Sequence, residues 1–229
     1  MFKNKNKYSI KKIIIGVILT LSIIFATLYL IIPKFVSKNS TQNKITSTFQ
    51  FSRPDNRPDE IKGQTITLKR LQPYYYKEYF EKINYPEVLK PLYFPKKLSF
   101  KWIEEYLDEE IEKETEGETF LYLIFDNNNN ELIGSVEIRE PNPKDPGQYG
   151  CWITPKYWGT GKLQEAFKLL VENYFKIQPN VEKFNAHVEM WNLRSYYALK
   201  KCGFKLVKTL HFKTQPSRYL LEYYKEPQK

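Results

Sequence analysis

The sequence predicts an α/β (α+β) domain, a single mixed sheet flanked by helices, preceded by one N-terminal transmembrane helix. Three observations predict it. Segments that alternate in polarity and segments with 3.6-residue apolar spacing interleave through residues 61–229. A hairpin sits midway, where "FLYLIFD" and "ELIGSVEIR" flank the run Asn127–Asn130. Upstream, Ile13–Ile32 is twenty residues without a charge, and at about 1.5 Å per residue it reaches about 30 Å, one hydrocarbon core.

The elements follow in order. Residues 1–12 form a basic tail, 13–33 an anchor closed by Pro33 and Lys34, and 34–60 a polar, proline-punctuated linker. A secretory signal peptide is the rival assignment for the apolar run. The run is long for one, and no small-x-small cleavage site follows it. Lys3, Lys5, Lys7, Lys11 and Lys12 precede the span and Lys34, Lys38 and Lys44 follow it, a bias that puts the N-terminus on the cytoplasmic side.

In the domain, 61–229, "TITLKRL" alternates as a strand, and "PYYYKEYFEKI" has Pro73 at a first helical position. Ser99 caps the next helix, where Ile103, Tyr106, Leu107 and Ile111 share a stripe. Its other face is acidic, with Glu104, Glu105, Asp108, Glu109 and Glu112; such a run is usually a solvated face, and it also suits a cationic partner. After the hairpin come the strand Tyr149–Ile153, a helix opened by Gly159 and Gly161 that runs to about Lys176, and the strand Phe184–Met190. A helix over Leu193–Cys202 is ended by Gly203, and "KLVKTLHF" and "RYLLEYY" make a last pair of strands.

The net charge of +10 over 229 residues does not mark a nucleic-acid binder. Residues 1–60 hold 10 Lys/Arg against 3 Asp/Glu, and residues 61–229 hold 26 against 23, so the globular part lacks a phosphate-binding excess. Two cysteines, Cys151 and Cys202, and two histidines, His187 and His211, give neither a zinc spacing nor a disulfide framework.

"WGTG" between a strand and an amphipathic helix puts free N–H groups at a helix start, where they attract phosphate. The segment is neither a Walker loop nor G-x-G-x-x-G, because Gln164 stands where the third Gly would be. "YWGTGKLQEAFKLL" followed by "FNAHVEMWNLRSYYALKKCGFKLV" resembles motifs A and B of the Gcn5-related N-acetyltransferase (GNAT) superfamily. The branch it is most similar to contains the ribosomal-protein-alanine N-acetyltransferases. Tyr157, Trp158, Gly159, Gly161, Glu165 and Ala166 match the first motif, and Asn192, Ser195, Leu199, Lys201, Gly203 and Phe204 the second.

The resemblance implies a mostly antiparallel GNAT-like sheet and acetyl-CoA as acetyl donor, with no metal. It implies that the N–H groups of Trp158, Gly159, Thr160, Gly161, Lys162 and Leu163 hold the pyrophosphate. Pantetheine lies between the strands "YGCWI" and "NAHVEM", and an N–H of Trp152 or Ile153 polarises the thioester carbonyl. Asn192 and Ser195 face the cofactor or support the loop beside it; Asn192 is equally a helix N-cap. The chain departs from the pattern at Leu163, where Gly or Ala is usual, at Gln148, where the branch often carries Glu, and at Leu199, where many relatives have a tyrosine proton donor. Tyr196, about 40° from Asn192 around a helix, is the local substitute. Glu137, His187 and Glu189 are the candidate bases, and each also fits a strand residue facing solvent or a satisfied core side chain.

Together these imply a membrane-tethered N-acetyltransferase acting by direct attack of a primary amine of a protein or small molecule, which the acidic helix face biases towards a cationic acceptor. The alternative is a catalytically silent fold used as an interaction module at a surface or secreted, favoured by Leu163 and Gln148.

Overall fold

The computed structural model describes residues 56–95, 97–139 and 147–226. The basic tail, the anchor over 13–33 and residues 34–55 of the linker lie outside them. Among the described residues no helix is long and apolar enough to cross a membrane.

Among the described residues eight strands form one sheet in the order β1-β2-β3-β4-β5-β6-β8-β7. β1 (Glu60–Lys62) and β2 (Ile66–Arg70) lead into β3 (Thr119–Asp126), β4 (Glu131–Arg139) and β5 (Gln148–Ile153), all antiparallel neighbours. β6 (Lys183–Glu189) is parallel to β5 and antiparallel to β8 (Arg218–Tyr224), which pairs with β7 (Lys205–Leu210). The mixed, mostly antiparallel sheet is therefore present. Between β2 and β3 lie α1 (Tyr76–Ile83), the single turn α2 (Pro86–Leu89) and α3 (Phe100–Glu116); α4 (Lys162–Ile177) joins β5 to β6, and α5 (Leu193–Lys201) joins β6 to β7.

Side-chain alternation along β3 shows how the layers form. Phe120, Tyr122 and Ile124 enter one core with Phe167, Leu170 and Tyr174 of α4, while Leu121, Leu123 and Phe125 enter another with Tyr79 of α1 and Ile103 and Leu107 of α3. Both faces of the sheet are thus covered, and every β3 residue is buried. Ser99 caps α3 by accepting from the Trp102 N–H at 3.2 Å, and Gly117, with φ of 81°, ends it.

The apolar stripe of α3 is as expected: Ile103 and Leu107 are buried, Tyr106 and Ile111 pack against the same core, and Glu110 and Glu114 are buried beside them. Two local expectations need correction. Pro73 opens a 3₁₀ turn over Pro73–Tyr75, so α1 begins only at Tyr76. Arg57–Glu60, placed in the linker by their polarity, belong to the folded unit. The buried Arg57 guanidinium donates to the carbonyls of Thr119 and Glu114 and pairs with the Glu114 carboxylate at 3.1 Å. A polar segment can be pinned by one well-paired arginine, which composition does not show.

Candidate active site

The site begins where two parallel strands part. β5 and β6 share one register pair, Gln148 with Asn185, and diverge beyond it. The Thr154 N–H bonds the Ile133 carbonyl at 2.8 Å, so by antiparallel parity the Trp152 N–H also points at β4, while those of Cys151 and Ile153 point into the gap. Of the two amides expected to polarise a carbonyl, only that of Ile153 faces the cleft. The Trp152 side chain turns to the helical layer, its Nε1 donating to the Tyr79 hydroxyl at 3.1 Å.

The cleft runs on to the start of α4. Gly159 and Gly161 have φ of 77° and 86°, and a Cβ at either would meet nothing within 4 Å, so the turn is both left-handed and open. No side chain caps α4. Its first internal bond runs from the Glu165 N–H to the Gly161 carbonyl, which leaves the donors of Lys162, Leu163 and Gln164 without helical acceptors. The Trp158 and Thr160 amides are committed to the turn, at 3.1 Å to Pro155 and 3.4 Å to Tyr157. The amides left open to the cleft are therefore those of Gly159 and Gly161 to Gln164, narrower at one end than the expected Trp158–Leu163 span and extended at the other.

The helix start is bolted to the far edge of the sheet. Lys162 is buried, its Nζ 2.9 Å from Asp126 Oδ1 and 3.0 Å from the Thr65 carbonyl, so its side chain points away from the loop. Burial pushes the Asp126 carboxyl up, but the bonds from Lys162 and the Asn128 N–H outweigh it and hold it below the usual range. Glu165 accepts from the Thr65 N–H and hydroxyl. These motif residues are clamps. Leu163 is half-buried against the main core and also lines the cleft, so its bulk is partly absorbed by packing.

Two connected cavities fill the cleft. The smaller, about 120 Å³, is bounded by Ile153, Trp158, Gly159, Gly161, Leu163 and Arg194; the larger, about 630 Å³, lies towards α1 and α3. Asn192 and Ser195 line both, and Asn192 caps α5 by accepting from the Ser195 N–H at 3.3 Å, so the N-cap expectation holds while the residue also borders the cleft.

Glu137 is the larger cavity's most unusual group. It is 8% exposed, its Oε1 lies 3.1 Å from Arg139 Nε, and among the described residues its Oε2 has no hydrogen-bond partner. Burial pushes its carboxyl up, Arg139 opposes this, and Glu110 adds to it. Gly150, across the ladder from Glu137, makes the room: a Cβ there would come within 2.5 Å of Glu137 Oε1 and 2.9 Å of Arg139 Nη2. Tyr79 and Tyr106 also line the cavity, and burial raises both phenols above their ordinary value, so they stay protonated.

The other candidates separate. His187 lies at the rim and is exposed; Glu189 is buried and accepts from the Tyr93 hydroxyl. Tyr196 lines neither cavity: its ring stands 4.7 Å from that of Tyr219 on β8. α5 turns the Asn192–Ser195 stripe to the cleft, and the 40° offset is enough to swing Tyr196 against β8. The acids of α3 line neither of these cavities; Glu104, Glu105 and Asp108 border a separate one with Tyr74, Tyr76 and Phe100. Cys151 and Cys202 are free thiols pushed up by burial to about 11 and about 12. Among the described residues no cluster could hold a metal ion.

Sequence reasoning missed Gly150, Tyr79, Tyr106, Glu110 and Arg194. Only Gly150, a glycine inside a strand pattern opposite a carboxylate, carried a signal.

A family model described as Acetyltransferase (GNAT) domain matches residues 65–205. No curated protein sequence matches the chain. Solved structures of the same fold include a ribosomal-protein-S5-alanine acetyltransferase from Vibrio fischeri (TM-score 0.62, 16% identity, 72% of this chain and 96% of that one). The microcin C7 self-immunity acetyltransferase MccE, in complex with acetyl-CoA and AMP, gives 0.65 at 16%, covering 73% and 97%. RimL, a ribosomal L7/L12 α-N-protein acetyltransferase in complex with coenzyme A, gives 0.65 at 15%, covering 72% and 97%.

Proposed function

The chain belongs to the acetyltransferase (GNAT) domain family of acetyl-CoA-dependent acyltransferases, and from that premise we propose that it is a membrane-tethered N-acetyltransferase of a primary amine. One observation carries the assignment: β5 and β6 part after a single pair, and the gap leads to an uncapped helix start with two open glycines. That is a channel with main-chain donors along one wall and an anion site at its end.

The residues present suit acetyl-CoA, which when bound supplies an acetyl group as a thioester. The amides of Gly159 and Gly161–Gln164 hold the pyrophosphate, and the Ile153 N–H faces the position of the acyl oxygen. Glu137 receives the proton of the attacking amine: its unpartnered Oε2 is a ready acceptor, and its raised affinity for protons makes it a better base than an exposed carboxylate. The protonated phenols of Tyr79 and Tyr106 supply hydrogen-bond donors on the same wall. Glu137 and Glu189 line the acceptor cavity together with Arg139 and Arg218, so its formal charge is balanced and carries no bias towards a cationic acceptor.

Residues 13–33 anchor the chain in a membrane with residues 1–12 on the cytoplasmic side, a proposal supported by the uncharged run and the five lysines before it. Full-length chain given acetyl-CoA and a panel of primary amines should release free thiol and yield acceptors heavier by one acetyl group. Absence of both thiol release and any rise in melting temperature with acetyl-CoA would sink the enzymatic assignment. Protease access in sealed vesicles, with tags at both ends, reads the topology.

A further inference from the structure

The donor end of the cleft lacks a loop cation. Lys162, the basic residue of the glycine turn, is spent on Asp126 and the Thr65 carbonyl. Lys156 faces Glu131 at 3.6 Å and does not line the cavity. The charged residues that do line the smaller cavity are Glu87 and Arg194. Main-chain amides bind a pyrophosphate by partial charges only, so its full negative charge has a single side-chain partner within that cavity.

Arg194 comes from the opposite wall. It is the second residue of α5, and its guanidinium carbon lies 3.3 Å from the ring centroid of Trp158, the residue before Gly159. Trp158 is itself held, its Nε1 donating to the Ile153 carbonyl at 2.9 Å. Among the described residues Arg194 makes no ion pair or hydrogen bond, so the guanidinium donors that Trp158 positions are uncommitted. Its placement is also locally unfavourable. A cation in the first turn of α5 meets the positive end of that helix, and across the cleft it shares a cavity with the start of α4. An anion bound between the two helix starts removes that conflict, and local conflicts of this kind mark functional positions.

Resting on the acetyl-CoA assignment above, we propose that Arg194, stacked on Trp158, is the side-chain cation that binds the donor's phosphates, in place of the lysine the loop has turned inward. The stack limits the rotamer entropy lost on binding, and the fork presents paired donors to phosphate oxygens.

Calorimetric titration of the full-length chain with acetyl-CoA tests it, using wild type, Arg194→Ala and Arg194→Lys at low salt and at about 1 M salt, where the screening length falls to about 3 Å. Arg194→Ala should weaken binding about tenfold or more at low salt, as for loss of a charge-assisted contact. The gap should close at high salt, and Arg194→Lys, which keeps the charge but neither the fork nor the stack, should fall between wild type and Arg194→Ala. An unchanged dissociation constant in Arg194→Ala overturns the proposal and leaves the donor assignment standing. A loss that is independent of salt also overturns it, since Arg194 would then only prop Trp158. Wild type that binds no acetyl-CoA, by heat or by melting temperature, removes the donor assignment and the proposal with it.

Discussion

Replacing Lys162 by Met separates a clamp from a phosphate ligand. The Lys162–Asp126 pair is 2.9 Å long, with side chains 11% and 5% exposed, and the same ammonium serves the Thr65 carbonyl. Two unit charges at that distance attract by about 6 kcal/mol at an effective dielectric of about 20. Much of this is offset by desolvation, but removing one partner strands a buried charge and costs about 3–5 kcal/mol. Lys162→Met should therefore lower the unfolding free energy by about 3–5 kcal/mol and the melting temperature by about 10 °C. Urea denaturation followed by tryptophan fluorescence measures it, and Lys162→Met with Asp126→Leu should recover most of the loss, because both charges then leave together. The pH dependence follows from the sign of the shift. Asp126 is held below its unfolded value, so its contribution is full above the ordinary range of about 3.9 and is lost as pH falls through the depressed value. Lys162→Met should flatten that acid limb. A variant as stable as wild type that binds acetyl-CoA markedly more weakly would refute the clamp and restore Lys162 as a phosphate ligand.

Glu137→Gln should lower kcat/KM about 100-fold or more and abolish the rising limb of its pH profile. That limb should lie above the ordinary glutamate value of about 4.3, because burial raises the carboxyl in the folded state. The same raised value means its stabilising contribution is present at low pH and lost as pH rises through it, so Glu137→Gln should be no less stable than wild type at neutral pH; a large fall in melting temperature would mark a structural role instead. Gly150→Ala pushes a Cβ into the Glu137 carboxylate and should cost about 10-fold to 100-fold in kcat with little change in acetyl-CoA affinity, measured by thiol release and calorimetry. Tyr93 lies in the left-handed region at φ of 57°; its hydroxyl donates to Glu189 and accepts from Arg218 Nη2 at 2.7 Å, which ties the loop after α2 to β6 and β8. Tyr93→Phe should loosen this tie and raise the acceptor KM about 10-fold while leaving acetyl-CoA binding unchanged; a shift in donor affinity of equal size would count against a role confined to the acceptor end.

The fold was legible because its signals are local. Ser99, Asn192 and Gly203 punctuate helices by rules that act within four residues, and the hairpin is two apolar runs joined by the polar turn Asn127–Asn130. β1 escaped notice because three residues carry no period, and α2 because one turn carries none. Arg57 was mistaken for linker because its partners, Glu114 and Thr119, lie 57 and 62 residues away.

The two halves of the site differ in legibility for the same reason. The donor end of the cleft presents main-chain amides at a strand end and a helix start, and a short glycine-bearing segment is enough to encode those. The acceptor cavity is built from side chains of α1, α3, β4, β5, β6 and β8, so its chemistry depends on packing that no window of sequence contains. Glu137 could be named as a carboxylate on the hairpin. That its Oε2 is buried and unpartnered follows only once Gly150 has made room for it and α1 and α3 have closed over it. Tyr196 failed as a proton donor by the converse route: its angular position on α5 was right, but the roll of the helix against β8 was not encoded in its spacing. Arg194 and Lys162 complete the contrast. The sequence reading placed Lys162 at the phosphates through its N–H alone and left Arg194 an unremarked helix residue. Burial takes the Lys162 ammonium away from the loop, because Asp126 waits 36 residues upstream of Lys162 with no other side-chain cation within ion-pair distance among the described residues. Reversing charge at both ends of that pair, as Lys162→Asp with Asp126→Lys, should keep acetyl-CoA binding while Arg194→Ala alone loses it, which puts the phosphate charge on α5.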